Sequence, residues 1–102
     1  MPAINRVVIV IIKFKSFGPL RRVLDNKIIE IEVPVDATIR DVVNKVVSTW
    51  GEEAKRLVMD GDRISGNLII MLNMTDVDTL SGEKTSVHEG DEVAILPHVQ
   101  GG

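Results

Sequence analysis

Cysteine and tyrosine are absent from the 102 residues, and the aromatic set is limited to Phe14, Phe17 and Trp50. Without thiols the chain forms no disulfide, no thiolate metal site and no thiol nucleophile, so any sulfur chemistry must use sulfur brought from elsewhere. With so few rings, the core has to be packed from Val, Ile and Leu, which dominate the 44% apolar content. Branched aliphatics of that kind favour strands. Long hydrophobic runs are missing too. The longest, Val7 to Ile12, has six residues, far below the roughly 20 of a membrane span and shorter than the apolar stretch of a signal peptide. The expectation is a cytoplasmic protein without membrane contact. Nor is there an excess of positive charge: the net value is -3. Residues 1 to 27 hold six Lys or Arg against one Asp (+5), and residues 28 to 102 hold six against fourteen acids (-8). Phosphate contacts supply most non-specific nucleic-acid affinity, so the acidic two thirds argue against a nucleic-acid partner. The basic first quarter reads as a solvated edge or a contact for an acidic partner.

At this length the chain is read as one domain over residues 1 to 97, large enough to bury about two thirds of its unfolded surface without metal or disulfide. Val7 to Phe14 is a nearly unbroken β-branched run, as in a central strand. Phe17-Gly18-Pro19-Leu20 is turn chemistry. In Ile29-Glu30-Ile31-Glu32-Val33 the strict alternation predicts a half-exposed strand, hairpinned to the first and ended by Pro34. Thr38 stands where an N-cap should, with Asp41 three residues on. Ile39, Val42, Val43, Val46, Val47 and Trp50 then form one apolar stripe of a helix closed by Gly51. Residues 52 to 67 are read as an insert, with a short helix from Glu52 to Val58 and turns at Asp60-Gly61-Asp62 and Ser65-Gly66-Asn67. Leu68 to Leu72 is a further strand, Thr79 to Gly90 a polar connecting stretch, and Glu92 to Leu96 the last strand. One helix crossing between strands calls for a mixed sheet covered on one face, the first strand lying inside it: an α+β, ubiquitin-like β-grasp.

Beyond Pro97, residues His98, Val99, Gln100, Gly101 and Gly102 read as a flexible tail with a bare diglycine tip. Fully extended, five residues reach about 17 Å, and glycine takes φ angles that other residues avoid. Such a tail can thread a narrow channel and deliver its own carboxylate.

The last third resembles a known family. Leu72-Asn73, Val77-Asp78-Thr79-Leu80, Gly82, Thr85, then Glu89-Gly90-Asp91-Glu92-Val93-Ala94-Ile95-Leu96-Pro97 and the closing Gly101-Gly102 look like the small subunit of molybdopterin synthase. Its β-grasp relatives include the thiamine-thiazole sulfur carriers and the archaeal small modifier proteins. Two positions depart from that pattern: His98 stands where a second proline is common, and Asn73-Met74 where an Asn-Gly turn is common. The resemblance implies that a ubiquitin-activating-type enzyme adenylates Gly102 with ATP. A sulfur donor then converts it to a thiocarboxylate, and the large synthase subunit receives the tail, Pro97 to Gly101 lying in the partner channel. Lysine conjugation through Gly102, a thiazole-forming role, or an idle diglycine on an interaction module are the alternatives. No bound cofactor, metal or internal catalytic residue is expected. His88 reads as surface, and His98 as either a bystander or a channel contact. Asp60-Gly61-Asp62 and Asp76-Val77-Asp78 match only fragments of a calcium loop and read as turns. Val8, Val10, Ile12 and Phe14 are candidates for a partner surface on the sheet, the alternative being burial beneath residues 52 to 67.

Overall fold

The computed structural model describes residues 8–25 and 28–97. Its five-stranded sheet has the order β2-β1-β7-β5-β6, where β1 is Ile9–Ser16, β2 Ile28–Pro34, β5 Leu68–Leu72, β6 Thr75–Asp76 and β7 Glu92–Pro97. β1 pairs antiparallel with β2 and parallel with β7, which pairs antiparallel with β5. The first strand is therefore flanked on both sides, as its unbroken apolar run predicts. It begins two residues later than the sequence suggests and runs on to Ser16, whose side chain is buried; Val7 lies outside the described residues. Among the described residues three α-helices accompany the sheet: α1 (Gly18–Leu24), α2 (Ile39–Trp50) and α3 (Glu52–Val58).

The predicted turn at residues 17 to 20 is instead the start of α1. Gly18 takes φ +61 and Pro19 occupies the first turn, where its missing amide costs nothing and its fixed φ suits a helix. Arg21 and Arg22 sit in the last turn, against the negative end of the dipole, and Leu20 and Leu24 are buried. A Gly-Pro pair is ambiguous between turn and helix entry, and the apolar spacing of Leu20 and Leu24 resolves it.

α2 is capped reciprocally. The Thr38 hydroxyl accepts from the Asp41 amide at 3.3 Å, and the Asp41 carboxylate accepts from the Thr38 amide at 2.9 Å. Ile39, Val42, Val43 and Val46 are buried while Val47 and Trp50 are half-buried, so the stripe holds along its length. Gly51, at φ +77, donates to the Val47 carbonyl and accepts from Lys55, ending α2 and opening α3 at a single residue.

The segment after α3 is a small second sheet: β3 (Met59–Asp60) pairs antiparallel with β4 (Arg63–Ile64) around Gly61, φ +64. Arg40 on α2 secures this hairpin by donating to the Asp62 carbonyl at 2.7 Å, while its other nitrogens reach Asn44 and Glu83. Ala54 and Val58 join the same buried cluster as the α2 valines. The supposed insert is thus part of the core. Two 3-10 turns, Val77–Thr79 and Gly82–Lys84, make up the connecting stretch. Asp76 caps the first by accepting from the Asp78 amide at 2.9 Å, so both Asp-x-Asp pairs serve as turn chemistry.

Candidate functional site

The candidate site is the end of β7, where the chain leaves the sheet. Val93 and Ile95 are buried on the helix side, and Pro97 pairs with Leu68 at the sheet's rim. A Cβ placed on Gly18 would lie 4.0 Å from the Pro97 ring, so α1 starts beside the point where residues 98 to 102 begin. An apolar groove of about 190 Å³ opens there, lined by Phe17, Pro19, Leu20, Leu57, Leu68 and Pro97 among others. His98, Val99, Gln100, Gly101 and Gly102 lie outside the described residues.

The Glu89-Gly90-Asp91 motif does mechanical work at the other end of β7. Gly90, at φ +81, donates to the Ile11 carbonyl, Asp91 accepts from the Lys13 amide, and the Glu89 carboxylate accepts from the Ile11 amide at 2.9 Å. These bonds extend the β1–β7 ladder ahead of the strand itself and fix β7 in register. β7 therefore leaves the sheet at a defined place. His88 is exposed, with Nδ1 3.7 Å from Asp91, and touches nothing that would give it a chemical role.

Three of the four residues expected on the partner surface are elsewhere. Val10, Ile12 and Phe14 are 9%, 0% and 0% exposed, and share the buried cluster with Ile31, Val33 and the α2 valines. The reason is register: successive side chains on a strand alternate between faces, and the even positions of β1 stand opposite Ile29, Ile31 and Val33 on the helix side. Only Val8 is exposed, just before the strand. The face turned away from the helix is built from the odd register, which the sequence reading passed over. Ile9 and Ile11 of β1 stand there with Ile69, Met71, Ala94 and Leu96, where Leu96 pairs with Ile69 and Ala94 with Met71. Ile9 is exposed and the other five are half-buried. Lys13 and Lys15 border this strip. The sequence signal was Lys13 and Lys15, which alternate with Phe14 and Ser16 and mark the odd register as the outer face.

Among the described residues no cluster of His, Asp and Glu is suited to hold a metal ion, and no helix is long and apolar enough to cross a membrane. What the arrangement offers is a rigid sheet, a half-covered apolar face and a strand aimed outward at Pro97.

Residues 15–102 match the ThiS family, and the chain belongs to it. It is 31% identical over 91 residues to small archaeal modifier protein 3 of Haloferax volcanii, covering 89% of this chain and 98% of that protein. It is 33% identical over 72 residues to the molybdopterin synthase sulfur carrier subunit of Drosophila melanogaster, covering 71% and 69%. The solution structure of small archaeal modifier protein 1 from Methanosarcina acetivorans superposes with a TM-score of 0.78 at 23% identity, covering 93% of this chain and 99% of that one. That likeness establishes the ubiquitin-like β-grasp. The group is one of ubiquitin-like sulfur carriers and modifiers.

Proposed function

We propose that this protein is a sulfur carrier whose reactive group is the carboxylate of Gly102, and that it serves as the small subunit of a molybdopterin synthase. The observation that carries this reading is the family match, which spans residues 15–102. A carboxylate is a resonance-stabilised anion at neutral pH, its pKa being near 3.5, and so a poor electrophile. A ubiquitin-activating-type partner would therefore spend ATP on it: a carboxylate oxygen attacks the α-phosphorus, pyrophosphate leaves, and a mixed anhydride with AMP remains. The terminal sulfur of a persulfide donor then attacks the carbonyl and AMP departs. A second thiol cleaves the resulting acyl disulfide and frees the thiocarboxylate.

The large synthase subunit would receive residues Pro97 to Gly102 in a channel, where the thiocarboxylate gives its sulfur to a cyclic pterin. Gly102 is consumed and recharged, and ATP acts only in the partner's site, so the chain needs neither cofactor nor catalytic residue of its own. All of these steps are cytoplasmic. Glycine at 101 and 102 leaves no Cβ to obstruct a narrow channel.

One observation favours a second reading, conjugation to lysine amines: the similarity to small archaeal modifier protein 3 extends over 98% of that protein. Both routes pass through the same adenylate. Incubation with ATP, an activating enzyme and a persulfide donor separates them. An intact-mass gain equal to exchange of oxygen for sulfur supports the carrier, and ladders on other proteins support the modifier. Neither outcome would remove both readings. The last Lys or Arg is Lys84, so trypsin would leave residues 85 to 102 on a conjugated lysine, and the remnant must be sought at that mass.

A further inference from the structure

The outer edge of β2 combines unpaired backbone, a groove and two exposed carboxylates, of which Glu30 stands opposite Lys13 on β1 and Glu32 opposite Ile11. β2 is the last strand of the sheet, and among the described residues no strand pairs with its far side. Which backbone groups face outward follows from β1. Ile11 and Lys13 send their amides toward the β7 side, to Glu89 and Asp91, so Val10, Ile12 and Phe14 are the residues that bond β2. Their opposite numbers are Val33, Ile31 and Ile29. Alternation in an antiparallel ladder then leaves the amides and carbonyls of Glu30 and Glu32 pointing to the free edge.

Beside that edge, two openings of about 380 and 450 Å³ share Glu32 and Lys45 and run between β2 and α2, with Trp50 and Thr49 in one wall and Ser48 in the other. Both glutamate side chains are exposed, and among the described residues neither has a salt-bridge partner. An unpaired edge of this length is a template for an added strand.

We propose that β2 accepts an extended segment of a partner protein in which basic and apolar residues alternate, pairing antiparallel along Glu30 to Glu32. The charge pattern selects that occupant. Residues directly opposite Glu30 and Glu32 share their face of the sheet, where opposite charges stabilise and like charges destabilise a cross-strand pair. The intervening side chains enter the groove and pack on the Trp50 ring and the Lys45 methylenes. A second copy of this chain is disfavoured, because β2 against β2 would set glutamates against glutamates and Pro34 has no amide to donate. β1 stands between this edge and β7, the strand from which the chain leaves the sheet, so a partner can be held while the carboxyl end is being charged.

The test uses the intact protein and blocked pentapeptides, Lys-Val-Lys-Val-Lys and Glu-Val-Glu-Val-Glu. Trp50, the single tryptophan, lies in the groove wall and reports occupancy by its emission. Expected with the lysine peptide at millimolar concentration are a saturable change in that emission and slowed hydrogen exchange at the Glu30 and Glu32 amides. The glutamate peptide should give neither. The double variant Glu30→Lys/Glu32→Lys should reverse the preference with an unchanged far-ultraviolet spectrum. The proposal is overturned if the lysine peptide leaves both amides unprotected, if equal responses come from both peptides, or if the peptide-free protein sediments as a dimer with those amides already protected.

Discussion

The Asn73 side chain spans two strands: its amide nitrogen donates to the Asp91 carboxylate at 3.0 Å while its oxygen accepts from the Glu92 amide at 2.9 Å. The Asp91 carboxylate is shared, because its second oxygen accepts from the His88 amide at 2.7 Å. The turn after β5 and the entry to β7 are thereby tied at one point, a mount for the strand that ends at Pro97.

Asp91→Ala should break that tie. The side chain is 17% exposed, and hydrogen bonds to a carboxylate contribute about 1.5–3 kcal/mol each. A loss of about 2 kcal/mol in denaturant unfolding, with unchanged slope, is the expected result, and Asp91→Asn should lose less.

Met74→Gly should stabilise the fold. Asn73 and Met74 both have positive φ, +50 and +69, as a tight hairpin turn with primed geometry requires, and Met74 is 84% exposed. Holding a non-glycine residue in the left-handed region costs about 1 kcal/mol. A gain of roughly that size is expected, read as a higher thermal midpoint.

Thr38→Ala removes one half of the α2 cap. The expected cost is about 1 kcal/mol. In Thr38→Ser the hydroxyl remains and most of the stability should return, a comparison that calorimetry can make directly.

On the apolar face, Leu96→Lys and Met71→Lys should impair recognition by the proposed activating partner, since contacts at the centre of an interface dominate binding. We expect the apparent KM for adenylation of this chain to rise about tenfold, equivalent to roughly 1.4 kcal/mol, at little change in kcat. If KM stays put while the fold is intact, the face is not the contact.

Much of the fold was legible because its signals were local and periodic. The Thr38–Asp41 box, the six-residue stripe of α2 and the alternation in β2 each carry their own phase. β1 states its phase only at its far end, where Lys13 and Lys15 take the odd register; Val7 to Ile12, apolar at every position, states none, and of the two readings of Val10, Ile12 and Phe14, partner surface or burial, the structure shows burial. Residues 59 to 64 were unreadable as strands because two-residue strands have no period, and their hairpin depends on Arg40, more than twenty positions distant in sequence. Of the candidate site, the Gly90-Asp91-Glu92-Val93 motif was visible, but its purpose became clear only from the bonds it makes to Ile11 and Lys13. The open edge of β2 was invisible, since strand order is a property of the assembled sheet.

β7 is inserted between β1 and β5, so the last strand of the described residues is also the one that joins the two halves of the sheet. Without Glu92–Pro97, β1 lacks its parallel partner, and pairings this far apart along the chain slow folding. Without β7 the strands remain two separate pairs, β1 with β2 and β5 with β6, and the sheet becomes one continuous surface only when β7 is in place.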